Sequence, residues 1–299
     1  MLNVKYAIPM KGIVLAGGTG SRLWPSTISV SKQLLPVYDK PMIYYSLSTL
    51  MLAGINDILL ITTPLDRVAF QKLLGDGSNF GINLSFEVQE RPEGLAQALI
   101  IGKKFIGNSK VALILGDNIF NGPGLGRELK KFTDPSGAII LGCKVAFPEQ
   151  YGIVEINSQG DVISIEEKPK TPKSNIAIAG LYFFDSSVSD KAEKITKSAR
   201  GEFEITSLLD SYLLEKSLAL RTLPRGTVWM DCGTVSALND ASSYVRVLEE
   251  RQGLKIGSVE EIAWRNEWIT TRQLKKIANS YGNNEYGNYL RQLSDSEGV

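Results

Sequence analysis

Short apolar runs alternate with helix-like stretches through the first half of the chain, and this rhythm limits the fold more than any other feature. Lys11–Ala16 (KGIVLA), DILLITT, INLSFEVQ and KVALILGD each read as a strand. Brief apolar runs bounded by turn signals suit strands buried on both faces. Between them, PMIYYSLSTLMLAGI places Pro41 for a helix's first turn and repeats apolar residues at Ile43, Leu47, Leu50, Met51 and Ile55. Further helices are expected over Asp66–Leu74 and in EGLAQALIIGKKFI. Such alternation predicts an α/β fold of parallel βαβ units, with helices over both faces of the sheet.

Near residue 137 the rhythm changes. AIILGCKVAF, GIVEIN, DVISIEEKP and IAIAGLYFFD follow one another too closely to admit a helix, which suggests a mixed sheet packed beside the parallel one. From Val235 the chain turns mostly helical, through ALNDASSYVRVLEERQGL and TTRQLKKIAN. No repeat, linker or low-complexity tract interrupts it. Residues 11–299 are therefore expected to form one continuous unit with parts at about 11–136, 137–234 and 235–299.

Composition then narrows the chemistry. The 33 basic and 32 acidic residues nearly cancel, so no global field draws the chain to nucleic acid or membrane and any anion must be bound locally. No apolar run approaches the ~20 residues needed to span a bilayer, and the N-terminus lacks a secretory pattern. Cys143 and Cys232 form neither a disulfide framework nor a metal-ligand spacing, and a reducing cytoplasm is the expected compartment. The chain has no histidine, which excludes histidine general bases, Ser–His triads and histidine zinc sites. Carboxylates, lysine, arginine, backbone amides and a hard metal remain.

LAGGTGSRLWPSTISVSKQLLPV concentrates these groups. Gly17, Gly18 and Gly20 follow the first strand, and glycines there let backbone amides approach a phosphate closely. The run lacks the third glycine of a dinucleotide fingerprint and the Gly-Lys-[Ser/Thr] of a P-loop. Arg22 adds a planar fork and Lys32 a compact point charge. Together they could hold a triphosphate and neutralise a departing pyrophosphate. The plainer alternative is a tight turn beside two solvated cations. Asp117, after VALILG, and Asp231, after TVWM, are strand-end carboxylates of the kind that serve either as turn residues or as ligands for a hard cation.

The stretch GIVLAGGTGSRLWPSTISVSKQLLPVYDKPMIYY resembles the signature of the sugar-1-phosphate nucleotidyltransferases, specifically the bacterial glucose-1-phosphate thymidylyltransferase group. The resemblance continues to about residue 292 through LLGDGSNFGI, PEGLAQA, LGDNIF, YGIVE, EEKP, SNIAIAGLYFFD, ARGEFEIT and EERQGLK. It implies a Rossmann-like, mixed but mainly parallel central sheet flanked by helices, with a nucleotide-binding part over 11–136 and a sugar-binding part over 137–234. It also implies a homotetramer, a Mg2+ cofactor held by Asp117 and Asp231, and no nucleic-acid or membrane partner. The implied reaction joins dTTP and α-D-glucose 1-phosphate to give dTDP-glucose and pyrophosphate, an early step towards dTDP-L-rhamnose or related deoxysugars.

By the same resemblance, Gly17, Gly18, Gly20, Ser21, Arg22, Lys32, Gln33 and Asp117 bind the nucleotide, and Gln89 with Gly94 read the pyrimidine. Tyr151, Gly152, Glu167, Lys168, Ile178 and Arg200 take the sugar phosphate, with Arg22, Lys32, Lys168 and Arg200 as the catalytic cations. In VISIEEKPK, Ile163, Ile165 and Glu167 are expected on one face, with Lys168 opposite them or turning with Pro169. Cys232 departs from the small hydroxyl residue usual beside the second aspartate. Thymine and uracil differ by one methyl, worth only ~1–3 kcal/mol, so a uridylyltransferase or a dual dTTP/UTP enzyme is the near alternative. A silent nucleotide-sugar sensor is the distant one.

Two further expectations come from the same comparison. Arg225 and Glu261 match positions of a second, effector nucleotide site through which dTDP-rhamnose inhibits. Asn121 and Pro123 stand where an aromatic or histidine is usual, so that pocket is expected to be retained but altered, with weaker inhibition. Residues 1–10 are expected as an N-terminal extension: a short added strand, a frayed terminus or the trace of an upstream start.

Overall fold

The computed structural model describes Pro9–Asp295, so of the expected extension only Pro9 and Met10 fall within the described residues. In chain order come β1 (Lys11–Ala16), β2 (Pro36–Val37), β3 (Lys40–Pro41), α1 (Ile43–Leu52), β4 (Asp57–Thr62), α2 (Arg67–Leu74) and β5 (Asn83–Val88). Then follow α3 (Gln97–Ile101), α4 (Lys103–Ile106), β6 (Val111–Leu115), β7 (Asn118–Asn121) and α5 (Leu125–Lys130). Next are β8 (Ala138–Lys144), β9 (Gly152–Ile156), β10 (Val162–Glu167), β11 (Ile176–Phe184), α6 (Val188–Ala192), α7 (Ile205–Leu214), β12 (Leu218–Thr222) and β13 (Val228–Asp231). The chain ends in α8 (Val235–Gln252), α9 (Val259–Arg265), α10 (Thr271–Ser280) and α11 (Glu285–Asp295).

A nine-stranded mixed sheet, mainly parallel at its centre, runs β10-β9-β11-β6-β1-β4-β5, with β8 on β11 and β12 on β8. β8 to β12 enter this sheet, whereas the sequence suggested a second sheet packed beside it; β13 pairs with β7 apart from it. β4 and β5 pair in parallel from Asp57↔Asn83 to Thr62↔Val88; β4 is a continuous buried run, while β5 alternates polar and apolar residues. β8 pairs antiparallel with β11 and parallel with β12.

Two compact units are distinguished by their internal contacts. The first holds the described residues up to Ile13, Glu93–Leu113 and Lys131–Leu223; the second holds Val14–Pro92, Ile114–Lys130 and the described residues from Pro224 onward. In the first, Phe183, Phe184 and Tyr212 are fully buried, and Phe132 meets Phe183 edge-on. In the second, Ile43–Met51 are buried all round, which explains why α1 lacks a polar face. Cys232 is wholly buried with Val37, Met42, Tyr45, Ile119, Ala241 and Val245, and so acts as a small apolar residue.

Local chemistry corrects three boundaries. Pro41 does not open α1: it pairs with Pro36 in a two-stranded ribbon turned by Tyr38 and Asp39, and the helix begins at Ile43. The expected helix through EGLAQALIIGKKFI breaks at Gly102 into α3 and α4. In β10 a register shift between Val162 and Ser164 leaves Ile163 exposed, so it does not share the half-buried face of Ile165 and Glu167. The late helices are capped as their sequences indicate. Thr234 and Ser258 accept from backbone amides of α8 and α9, and Thr270 forms a capping box with Gln273 on α10.

Candidate active site

In the second unit, β1 delivers the chain into Gly17, whose missing side chain has a specific use. A Cβ there would lie 2.2 Å from Gln89 Oε1, so the buried Gln89 amide packs directly on the loop backbone. Gly18 and Gly20 adopt φ of 99° and 60°, in the left-handed region that glycine favours. Gly20 leads into the short turn Ser21–Leu23, Leu23 anchors that turn in the core, and Thr27 Oγ1 donates to Gly20 O at 2.8 Å. Ser21 and Arg22 stay exposed on this pinned loop. Gly18, Thr19, Ser31, Thr63–Asp66 and Gln89 line one cleft of about 410 Å³.

The antiparallel ribbon of β7 and β13 brings together the two aspartates, which lie far apart in sequence. Asp231 pairs with Asn118, and Cys232 N donates to Asp117 O at 2.9 Å. Lys32 Nζ forms a tight ion pair with Asp117 Oδ2. Asn118 Nδ2 donates to Asp117 Oδ1 at 3.0 Å and is itself oriented by Trp229 Nε1 at 2.6 Å. Burial would raise the Asp117 carboxyl, but the Lys32 charge and these hydrogen bonds hold it below the ordinary value. Burial, reinforced by the Asp117 charge, pushes Asp231 up to about 6 against the opposing pull of Lys32 and Arg22. Gly233 makes room for this grouping: a Cβ there would meet Arg22 Nη2 at 2.5 Å and Asp231 Oδ1 at 3.1 Å. Gln33 is buried, its Oε1 accepting from Ser31 Oγ at 2.6 Å.

These donors fit magnesium. Both are hard oxygen donors, and the Asp117 charge opposes ionisation of Asp231, a cost that a dication would relieve. The described residues contain no cluster of three or more His, Cys, Asp or Glu side chains placed to hold a metal. A two-carboxylate site of this kind would hold magnesium together with substrate phosphates rather than in an all-protein cage.

The first unit assembles the expected sugar-phosphate residues. Gly152 pairs with Glu167 across β9 and β10, and Lys168 N donates to Tyr151 O at 3.0 Å. Lys168 has a φ of 46°, so the chain turns there as the following Pro169 suggested. A Cβ on Gly152 would lie 3.2 Å from Glu167 Oε2 and 3.7 Å from Ile178 Cδ1; the glycine thus leaves the carboxylate approachable above a buried Ile178. Lys168 Nζ and Arg200 Nη2 stand 3.9 and 3.8 Å from Glu167 Oε1. Arg200 is gripped by Glu204 through Nε at 3.1 Å and Nη2 at 2.8 and 2.9 Å. Burial raises the Glu167 carboxyl, with the two cations and Glu204 and Glu202 acting in opposite senses around it. Gly94 also belongs to this unit, with a φ of 106°, and faces the backbone of Phe203.

No hydrogen bond or ion pair among the described residues joins the expected effector pair. Arg225 is exposed, whereas the Glu261 carboxylate is taken by Arg265 Nε at 2.8 Å and Tyr289 Oη at 2.5 Å. Asn121 donates to Tyr244 Oη at 2.9 Å. Sequence reasoning missed Asn118, Gly233 and Glu204. The first two adjoin the aspartates in LGDNIF and DCGT, but only the β7–β13 pairing reveals their use.

Among known proteins, the Nucleotidyl transferase family matches residues 11–247. A glucose-1-phosphate thymidylyltransferase of Mycolicibacterium smegmatis is 57% identical over 288 residues, covering 96% of this chain and 100% of that protein. One from Neisseria meningitidis serogroup A is 52% identical over 285 residues, 95% of this chain and 99% of its own length. A Bacillus anthracis protein assigned as a candidate glucose-1-phosphate thymidylyltransferase, solved with sucrose, superposes with a TM-score of 0.74 at 40% identity. That alignment covers 79% of this chain and 95% of the solved one. A UDP-glucose pyrophosphorylase complexed with UDP-glucose gives a TM-score of 0.71 over 81% of this chain and all of its own; at 23% identity it bears on the fold alone.

Proposed function

The chain belongs to the nucleotidyl transferase family, in its glucose-1-phosphate thymidylyltransferase group, and on that premise we propose that it joins dTTP to α-D-glucose 1-phosphate, giving dTDP-glucose and pyrophosphate. The observation that carries the reading is the pair Asp117 and Asp231 set beside Lys32 and Arg22, in a unit whose loop after β1 turns through left-handed Gly18 and Gly20. A sugar-phosphate oxygen attacks the α-phosphorus as the bond to pyrophosphate breaks. That oxygen is already anionic at neutral pH, so no general base is needed, in keeping with a chain without histidine. Arg22 and Lys32 receive the departing pyrophosphate, and Lys168 and Arg200 orient the attacking phosphate. Glu167, Tyr151, Gly152 and Ile178 form the hexose site, while Gln89 and Gly94 take the base. Magnesium, held by Asp117 and Asp231, supplies charge neutralisation at the α-phosphate when bound.

Initial rates of pyrophosphate release across nucleotides and hexose 1-phosphates test this assignment. The dTTP and glucose 1-phosphate pair should be fastest. Faster turnover with UTP would assign a uridylyltransferase, and release with no pair would leave the sensor. A cytoplasmic homotetramer belongs to the same reading; no helix among the described residues is long and apolar enough to cross a membrane.

The effector site is carried forward with Arg225 as its diphosphate ligand, since an arginine fork suits paired phosphate oxygens. At saturating dTTP, dTDP-rhamnose should inhibit and Arg225→Ala should weaken that inhibition. An unchanged inhibition curve would remove Arg225 from the site.

A further inference from the structure

The Thr63–Asp66 loop lines the same cleft as the glycine loop but carries no part of the chemistry above. Its last residue, Asp66, reaches back to the segment that bears Lys32. Asp66 Oδ1 accepts from Ser31 N at 3.1 Å, and Oδ2 accepts from Thr63 Oγ1 at 2.5 Å. Thr63 Oγ1 in turn accepts from Asp66 N at 3.2 Å, so the carboxylate is fixed from two sides. Ser31 is the cap of the short turn Lys32–Leu34, and its hydroxyl donates to Gln33 Oε1 at 2.6 Å. The backbone amide immediately before Lys32 is therefore tied to Asp66, while the Lys32 side chain lies on Asp117.

A long lysine side chain is precise only when its backbone is held, because its own rotamers are soft. The preceding segment from Thr27 to Val30 lines the cleft; Thr27 is buried and bonded to Gly20 O, but Ile28 is 68% exposed, so packing fixes little of the chain between Thr27 and Ser31. The geometry points to Asp66 as a positioning residue for Lys32: it sets where the ammonium stands relative to the departing pyrophosphate. This rests on the reading of Lys32 as a pyrophosphate ligand. Displacements of about 1 Å at such a group cost up to ~100-fold in rate; because the tie acts at one end of the segment, a smaller loss is expected here.

The test is kinetics in both directions on the full chain. Asp66→Ala removes both acceptors; it should lower forward kcat about tenfold and raise the KM for pyrophosphate in the reverse reaction by a similar factor. The KM for glucose 1-phosphate should stay within about twofold, since the Asp66 tie runs through Ser31 and Thr63, neither of them an expected sugar residue. Asp66→Asn keeps an acceptor oxygen for Ser31 N and should restore near-normal values. Thr63→Val, which leaves Asp66 itself in place, should move the same constants less, and it serves if Asp66→Ala does not fold. Equal losses in Asp66→Ala and Asp66→Asn, or a general loss that raises every KM together, would make Asp66 merely structural or electrostatic and overturn the inference. So would unchanged constants in Asp66→Ala while Lys32→Ala weakens pyrophosphate. If Lys32→Ala leaves pyrophosphate binding intact, the reading of Lys32 itself fails and the anchor with it.

Discussion

Asp117→Asn and Asp231→Asn are each expected to lower kcat by about a hundredfold or more, the several kcal/mol that a catalytic metal's charge is worth. Each change keeps the volume of the side chain and removes one anionic oxygen donor. For Asp117 it also strips Lys32 of the carboxylate it pairs with in a largely buried setting. The circular-dichroism spectrum should be unchanged, because the β7–β13 ribbon is held by backbone pairing and not by these carboxylates. The measurement is kcat across a magnesium titration: both variants should require more metal and plateau far below wild type. Near-normal turnover at limiting magnesium would take the mutated residue out of the metal site.

The second large effect falls on stability. Gly94→Ala should destabilise the protein by about 2–3 kcal/mol. The residue sits at a φ of 106°, and an added Cβ would lie 2.4, 2.7 and 2.9 Å from the O, N and C of Phe203. Phe203 cannot withdraw easily, because its N donates to Glu93 O at 2.7 Å and its O accepts from Ala96 N at 3.1 Å. Backbone meets backbone there, so no flexible side chain absorbs the clash. Urea unfolding measures it. A midpoint unchanged from wild type would show that the Glu93–Ala96 and Phe203 segments are looser than their hydrogen bonds indicate.

The parts of this fold legible in sequence are those fixed by local pattern. β1 is legible as Lys11–Ala16 because an apolar run ends at a glycine, β6 runs into Gly116 in the same way, and β4 is an apolar run closed by Thr63 and Pro64. The turn after β1 is legible for a similar reason, since Gly18 and Gly20 supply the left-handed φ it adopts. What sequence could not supply is pairing over long separations. Nothing in LGDNIF or TVWMD indicates that β7 and β13 lie side by side, yet that ribbon places Asp231 against Asn118 and next to Asp117. The same limit hid why Gly17 and Gly233 lack side chains, since the atoms they admit, Gln89 Oε1 and Arg22 Nη2, come from elsewhere in the chain. Pro41 misled because proline suits both a helix's first turn and an edge strand, and the partner Pro36 decided between them. Ile163 misled because a bulge cancels the alternation on which the reading depended.

The central claim is attack by a sugar-phosphate oxygen on the α-phosphorus of dTTP with loss of pyrophosphate, and isotope tracing tests it most directly. Glucose 1-phosphate carrying 18O in its phosphate oxygens is incubated with unlabelled dTTP, magnesium and the full chain, and the products are read by 31P NMR. The prediction is dTDP-glucose whose bridging oxygen between the two phosphorus atoms carries the label, formed in step with unlabelled pyrophosphate. Label in the pyrophosphate, or thymidine nucleotide consumed without a labelled bridge, would contradict it.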